Sequence, residues 1–276
     1  MPFRDAGICK VSSTVTLPHF FVEKSLNPDD RGDFRLTLDR ELWEHLRTAR
    51  IRAGESIVLT DGRGTGLEVL VEKLHGMPEP LLTGRLLRTF LDRVGEQLTL
   101  VQGISKNDSM DQTVRQATEL GILRLIPLES ERSTIRLSAM KRAEKVRRWG
   151  RIARAASEQS ARLTFPVIEE PVDLEGALRL LADQDGLIVC WEEAQTGSLG
   201  QIVREMAKRV FANPRIALFI GPEGGFSQSE IALMAEKGAR LASLGEGILR
   251  TETAAVAASA IVLYHLGALG ASERVE

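Results

Sequence analysis

Ile220-Gly221-Pro222-Glu223-Gly224-Gly225-Phe226-Ser227 is the stretch from which the fold can be read. An apolar run from Arg215 leads into it, and Ser227-Gln228-Ser229-Glu230 follows with the spacing of a helix capping box. A buried strand therefore ends at Ile220, a glycine loop turns the chain, and a helix runs on to Gly238. Glycines let a backbone approach a ligand closely, and the amides of such a loop are free to bind it. No Gly-Lys-Ser/Thr follows, so this is not a P-loop. The charge of Glu223 would repel a phosphate and suits a ligand with positive or donor character instead.

The same grammar recurs on either side. Ala239 to Leu244 reads as a short strand, and Leu244-Gly245-Glu246-Gly247-Ile248-Leu249-Arg250-Thr251-Glu252-Thr253-Ala254 carries it through a second glycine-bearing loop into a helix near Thr251. Strand-to-helix loops at the carboxyl end of a parallel sheet are where α/β proteins bind ligands. Upstream, Leu98 to Ile104 is a strand, Ser109-Met110-Asp111-Gln112 has the spacing of a capping box for a helix ending at Gly121, and Ile122 to Leu128 is a strand again. Strand, helix, strand implies a parallel βαβ unit. A long helix over 139–160, a strand at Leu187 to Cys190 and a helix near Leu199 to Val210 complete an α/β domain over 97–276. Residues 18–92 differ in texture. Five short strand-like runs surround one helix, about Asp39 to Arg50 with Asp39 as its cap, which suggests a small β-barrel. Residues 1–17 read as an extended or disordered lead-in without the apolar stretch of a signal peptide.

Composition narrows the functional classes. The 276 residues carry 36 Lys+Arg against 38 Asp+Glu, a formal charge of -2, which excludes a uniformly basic nucleic-acid coat but not a local basic patch. Cys9 and Cys190 lie far apart, and His19, His45, His75 and His265 are scattered, so no disulfide framework or metal site is expected, and a reducing cytoplasm is the natural compartment. The long uncharged run Thr253 to Ala271 is Ala-rich and reads as a buried helix rather than a membrane span. Asp61-Gly62-Arg63-Gly64-Thr65-Gly66 imitates the glycine loop of Rossmann methyltransferases, but Leu67-Glu68-Val69-Leu70-Val71 follows as a strand, so the motif is a hairpin turn. Lys141 to Arg162 holds eight basic and two acidic residues. On a helical wheel Arg147, Arg151 and Arg154 share one face, opposite Val146, Trp149, Ala153 and Ala156, and the surplus charge points to phosphate contact.

The two loops, Gly221 to Ser227 and Leu244-Gly245 with Ile248 to Ala254, closely resemble the ribosomal RNA small subunit methyltransferase E family, 16S rRNA uridine-N3 methyltransferases of the knotted SPOUT superfamily. The resemblance covers most of the chain. It takes in Phe20-Phe21, the stretch from His45 through Arg47, Arg50 and Gly54 to Asp61-Gly62, then Lys106 and Ala117-Thr118-Glu119-Leu120-Gly121. It continues with Ser130-Glu131-Arg132-Ser133, Arg148-Trp149 and Glu158-Gln159-Ser160 with Arg162. Two positions depart from the pattern: Gln116 stands where the family usually has lysine, with Arg115 next to it, and Gly247 stands where an arginine commonly precedes Ile-Leu-Arg.

The resemblance implies an α/β fold in which a PUA-like RNA-binding barrel precedes a parallel sheet with a deep trefoil knot. It also implies a cytoplasmic homodimer acting on a decoding-region uridine of 16S rRNA in the small ribosomal subunit, with S-adenosylmethionine (SAM) as cofactor and no metal. The cofactor would contact Gly221, Glu223, Gly224, Leu244, Gly245, Ile248, Leu249, Thr251 and Ala254. Uridine N3 must lose its proton for attack, so a cation should stabilise the developing uridylate, with Arg250 the candidate; Glu223 and Glu252 are alternative proton acceptors. RNA contacts are expected at Arg47, Arg50, Lys106 and Arg162 besides the stripe of Arg147, Arg151 and Arg154. Two other readings stay open: a related methyltransferase acting on tRNA or a ribose hydroxyl, and a non-catalytic RNA-binding assembly factor.

Overall fold

The computed structural model describes residues 17–22, 26, 32–91, 98–106, 108–133, 135–194, 197–209 and 214–269; the expected lead-in over 1–17, Leu17 apart, lies outside them. The chain divides into two compact units. The first holds residues up to Arg93 together with Ser157–Phe165, and the second holds Val94–Ala156 and everything from Pro166. The 97–276 domain read from the sequence therefore gives up nine internal residues to the first unit.

In the first unit β1 (His19–Phe21), β2 (Asp33–Thr37), α1 (Arg40–Thr48), β3 (Ser56–Thr60), β4 (Thr65–His75) and β5 (Leu81–Leu91) build one sheet in the order β1-β3-β4-β5-β2. β1 runs parallel to β3; the other pairs are antiparallel. Alternation does the sorting: along β2 only Phe34 and Leu36 point inward. They join Leu42 and Leu46 from α1 in one apolar core. Asp39 caps α1 by accepting from the Leu42 amide at 2.7 Å. Among the described residues no ladder joins β1 to β2. The sheet is thus mixed, with β1 and β2 as its outer strands among the described residues. Asp61-Gly62 is a hairpin turn: Asp61 Oδ1 accepts from the Arg63 and Thr65 amides at 2.8 and 3.0 Å, and Gly62 sits at φ 71°.

The returning segment Ser157–Phe165 completes this unit. Leu163 packs with Val58 and Phe90, its carbonyl accepts from Thr60 Oγ1 at 2.8 Å, and Phe165 meets Phe21 edge-on at 5.0 Å. A Cβ at Gly62 would stand 2.2 Å from the Phe165 ring, so the turn needs glycine for space as well as for its positive φ.

The second unit runs β6 (Leu98–Gly103), α2 (Ser109–Leu120), β7 (Arg124–Leu128), α3 (Ala139–Gln159), β8 (Val167–Ile168), α4 (Leu174–Leu180), β9 (Gly186–Cys190), α5 (Leu199–Arg209), β10 (Ile216–Ile220), α6 (Gln228–Glu236), β11 (Arg240–Ala242) and α7 (Thr251–His265). Its sheet is wholly parallel, in the order β11-β9-β10-β6-β7-β8. β6 and β10 are buried along their full length, as strands covered on both faces must be. Successive residues feed opposite cores: Leu218 joins Leu100, Trp149 and Val262, whereas Ala217 and Phe219 join Val101, Phe226 and Met234. No described helix is long and apolar enough to cross a membrane.

Three local departures have physical causes. α2 starts at Ser109 itself, after Asp108, so Ser109 is a helical residue and not the cap. Asp111 in its first turn faces inward instead, where it accepts from Trp149 Nε1 at 3.1 Å and Arg148 Nε at 2.8 Å. This pairing locks α3 to α2 and raises the Arg148 guanidinium pKa, with the Asp111 hydrogen bond as the main cause. Second, Arg147 and Arg151 are exposed but Arg154 is half-buried, with its Nε shut away from water, so the expected three-residue stripe is a pair. Val146, expected in the core, is half-buried too, while Trp149, Ala153 and Ala156 are buried. Third, β8 and α4 fall where no element was expected, and α4 is started by Asp173, which accepts from the Gly176 amide at 2.8 Å.

Candidate active site

β11, β9 and β10 lie side by side in the sheet and end at Ala242, Cys190 and Ile220. The loops beyond them enclose a cavity of about 630 Å³. Each loop is shaped by what its backbone can tolerate. After β10 the chain folds back on itself, with the Gly225 amide donating to Pro222 O at 2.9 Å. Gly225 has φ 66°, and a Cβ there would lie 2.6 Å from Glu192 Oε1; a Cβ on Gly221 would lie 3.1 Å from the Gly225 backbone. The loop after β11 turns at Gly245, φ 119°, held by a Ser243 hydroxyl that accepts from the Gly245 amide at 3.1 Å.

Thr251, the first residue of α7, joins these loops. Its hydroxyl donates to Gly221 O at 2.6 Å and accepts from Gln102 Nε2 of β6 at 2.8 Å. Ser227 and Glu230 make the capping box that the sequence promised: Glu230 N donates to Ser227 Oγ at 3.1 Å and Ser227 N to Glu230 Oε2 at 2.9 Å. The segment Glu131-Arg132 steadies the same turn. The Glu131 amide donates to Glu230 Oε1 at 3.0 Å, and Arg132 Nη1 donates to Gly224 O at 3.2 Å. Hydrogen bonds from the Ser227 and Ser229 hydroxyls hold the Glu131 carboxyl below the usual carboxylate range.

Every expected cofactor residue lines the cavity: Gly221, Glu223, Gly224, Leu244, Gly245, Ile248, Leu249, Thr251 and Ala254. So do the three candidates for chemistry, Arg250, Glu223 and Glu252. Arg250 is exposed at the N-terminus of α7, and among the described residues no hydrogen bond or ion pair engages its guanidinium. Glu252 is half-buried in the first turn of α7, where the helix dipole favours a carboxylate. Glu223 is exposed and uses Oε1 to accept from the Lys106 amide at 2.7 Å. Ile248 is 90% exposed and Leu249 40%, an apolar rim that costs free energy while it faces water. Burial pushes the Cys190 thiol on the cavity wall up to about 12.

Several lining residues were not singled out from the sequence. Glu192 follows β9 as Glu223 follows β10, so the strand-end rule would have found it. Ser109 was hidden by its assignment as a helix cap. Among the expected RNA contacts, Arg47, Arg50 and Lys106 are exposed, and Arg162 is half-buried like Arg154. Among the described residues no group of three metal-binding side chains comes together.

The RNA methyltransferase domain family matches residues 93–263 of the chain. A ribosomal RNA small subunit methyltransferase E of Aquifex aeolicus is 34% identical over 84% of this chain and 95% of its own. Its counterpart in Bacillus subtilis is 30% identical over 60% of this chain, and the alignment spans 64% of that relative's length. Among solved structures, a SAM-bound ribosomal RNA small subunit methyltransferase E from Neisseria gonorrhoeae superposes with a TM-score of 0.73 at 27% identity, covering 90% of this chain and 98% of the other. A putative methyltransferase from Legionella pneumophila in complex with SAM gives 0.75 at 27%, covering 91% and 98%.

Proposed function

Because the chain belongs to the ribosomal RNA small subunit methyltransferase E family, we propose that it transfers a methyl group from SAM to N3 of a uridine in the 16S rRNA of the small ribosomal subunit. The observation that carries this reading is the cavity at the carboxyl ends of β9, β10 and β11, lined by both glycine-bearing loops. The residues there fit the cofactor. A Cβ at Gly221 would crowd the Gly225 backbone and one at Gly225 would crowd the Glu192 carboxylate, the rim at Ile248 and Leu249 offers an apolar face for a flat ring, and Glu192, Glu223 and Glu252 supply carboxylates for a cationic ligand. Bound there, SAM would supply an electrophilic methyl on a sulfonium.

The chain's own part is alignment and charge. Arg250 lines the cavity, its guanidinium is uncommitted among the described residues, and it would stabilise the negative charge that develops on the uracil as N3 loses its proton. Glu252 is the better placed of the two proton acceptors, because Glu223 already spends an oxygen on the Lys106 amide. Arg47, Arg50, Lys106, Arg147 and Arg151, all exposed, would meet RNA phosphates, and the target base must be unpaired or flipped for its N3 edge to be reached. Two further parts belong to the proposal. One is a homodimer formed through the outer face of α7, where Tyr264 is 64% exposed. The other is a trefoil knot in the second unit, supported by a strand order that places β10 between β9 and β6.

The test is nucleoside mapping of 16S rRNA from a strain lacking the protein. One uridine should lose an N3 methyl, and purified protein with SAM should restore it. A missing ribose methyl, or a change confined to tRNA, would overturn the assignment.

A further inference from the structure

The cavity depends on a residue that does not line it. Gln102 on β6 is fully buried, and its side chain lies behind the two cofactor loops. Thr251 Oγ1 has a single proton. Gly221 O, 2.6 Å away, can only accept, so that proton is committed to it. Gln102 Nε2 stands 2.8 Å from the same oxygen and must therefore be the donor. The other amide proton goes to Gly103 O at 3.0 Å, which leaves Gln102 Oε1 buried without a partner among the described residues and fixes the orientation of the amide. The next residue adds a steric seat: a Cβ on Gly103 would lie 2.4 Å from both Cδ and N of Pro222. Gln102-Gly103 thus supports the Gly221-Pro222 turn by contact and the start of α7 by a one-way chain of donors, Gln102 to Thr251 to Gly221.

We infer that Gln102 is a positioning residue for cofactor binding, acting by donating a proton to Thr251 and so holding the two loops at the spacing the ligand needs. The inference rests on the cavity being the SAM site. Its basis is direction: in a site that excludes water each bond in the chain is strong, and an acceptor at position 102 cannot replace a donor. Gln102→Leu removes the donor and leaves Thr251 with one partner. Gln102→Glu keeps the size but, while ionised, aims a second acceptor at a hydroxyl whose only proton is already used.

The experiment measures SAM affinity and melting temperature for the wild type, Gln102→Leu and Gln102→Glu between pH 5 and 9. At pH 8 the Glu variant should bind SAM roughly tenfold or more weakly, and more weakly than the Leu variant. The sign with pH follows from the carboxyl: burial raises its pKa in the folded state, so its contribution to stability is full below the unfolded value of about 4.3 and lost as pH rises through the folded value. As pH falls, the protonated carboxyl becomes a donor, and the Glu variant's affinity and melting temperature should approach the wild type's, while the Leu variant's deficits stay flat. The other ionisable groups on neighbouring elements are Arg124 of β7, Glu129 beyond it, Glu223, Lys106, and Arg250, Glu252, Tyr264 and His265 of α7. They are common to all three proteins and cancel in the ratios. Thr251→Val, which deletes both hydroxyl bonds at nearly constant volume, should match or exceed the loss in the Glu variant, and it serves if that variant does not fold. Wild-type SAM affinity in the Thr251→Val variant, or pH-independent deficits in the Glu variant equal to those of Leu, would overturn the inference. If the wild type fails to bind SAM while the melting gap still closes in acid, the donor chain stands and the cofactor reading falls.

Discussion

Arg250 illustrates how far a single residue can be read. Its place before a helix, after a glycine loop, makes it a candidate, and in the fold the residue lines the cavity and its guanidinium has no partner among the described residues. An interaction made only as charge develops affects rate and not cofactor binding. Arg250→Ala should therefore lower turnover about 10²-fold or more with SAM affinity unchanged. Equal losses in single-turnover rate and in calorimetric SAM affinity would assign it to the cofactor instead. Cys190 gives a second expectation at this scale. With its thiol pushed up to about 12 by burial, almost no thiolate exists at pH 8. Alkylation at that pH, followed by peptide mapping, should leave Cys190 unmodified under conditions that label an unfolded control fully. Gln102 was not legible in the sequence, since a buried glutamine in an apolar strand announces nothing until its partner, Thr251, 149 positions away in the chain, is known.

Among the elements, those that were legible carry their own punctuation. α6 has a capping box and α2 a left-handed glycine at its end, with Gly121 at φ 108°. β6, β7, β9 and β10 are near-continuous apolar runs between turn signals, so the parallel sheet could be read locally. What failed were inferences that needed tertiary partners. Ser109 looked like a cap because the inward turn of Asp111 toward Trp149 and Arg148 is invisible in a four-residue pattern. Arg154 looked solvent-facing because a helical wheel assumes one flat interface, whereas Arg154 and Val146 are both half-buried. The correction changes the expected experiment. Only Arg147 and Arg151 present free length to a phosphate backbone, so the double change to Gln should lower the magnitude of the salt-dependence slope of RNA binding by about 0.7 to 0.9 per lost contact. SAM affinity and melting temperature should not move. A filter-binding salt series that overlays the wild type would remove α3 from the RNA surface.

For the whole molecule, the proposed dimer turns on what α7 leaves uncovered. One face, with Ala255, Ala258, Val262 and Leu263, is buried within the chain, while Tyr264 is 64% exposed on a helix with few charges. A twofold contact would cover that second face. Sedimentation at micromolar concentration should show a dimer, and Tyr264→Glu should shift it toward monomer; a wild-type monomer would dispose of the idea. The two-part division was legible from the change in texture near residue 97, but the loan of Ser157–Phe165 to the first unit was not, because nothing in a helix end or a short loop says where its side chains lodge. That loan has a consequence for synthesis. When Arg93 leaves the ribosome, the hydroxyl of Thr60 and the side chains of Val58 and Phe90 still lack Leu163. At roughly 5–20 residues per second the missing piece follows about 4 to 14 s later. The first unit can therefore finish folding only after β6, α2, β7 and most of α3 of the second have been made, and a gene fragment ending at residue 93 should yield a product that aggregates, whereas one in which 157–165 is joined back by a flexible linker should not.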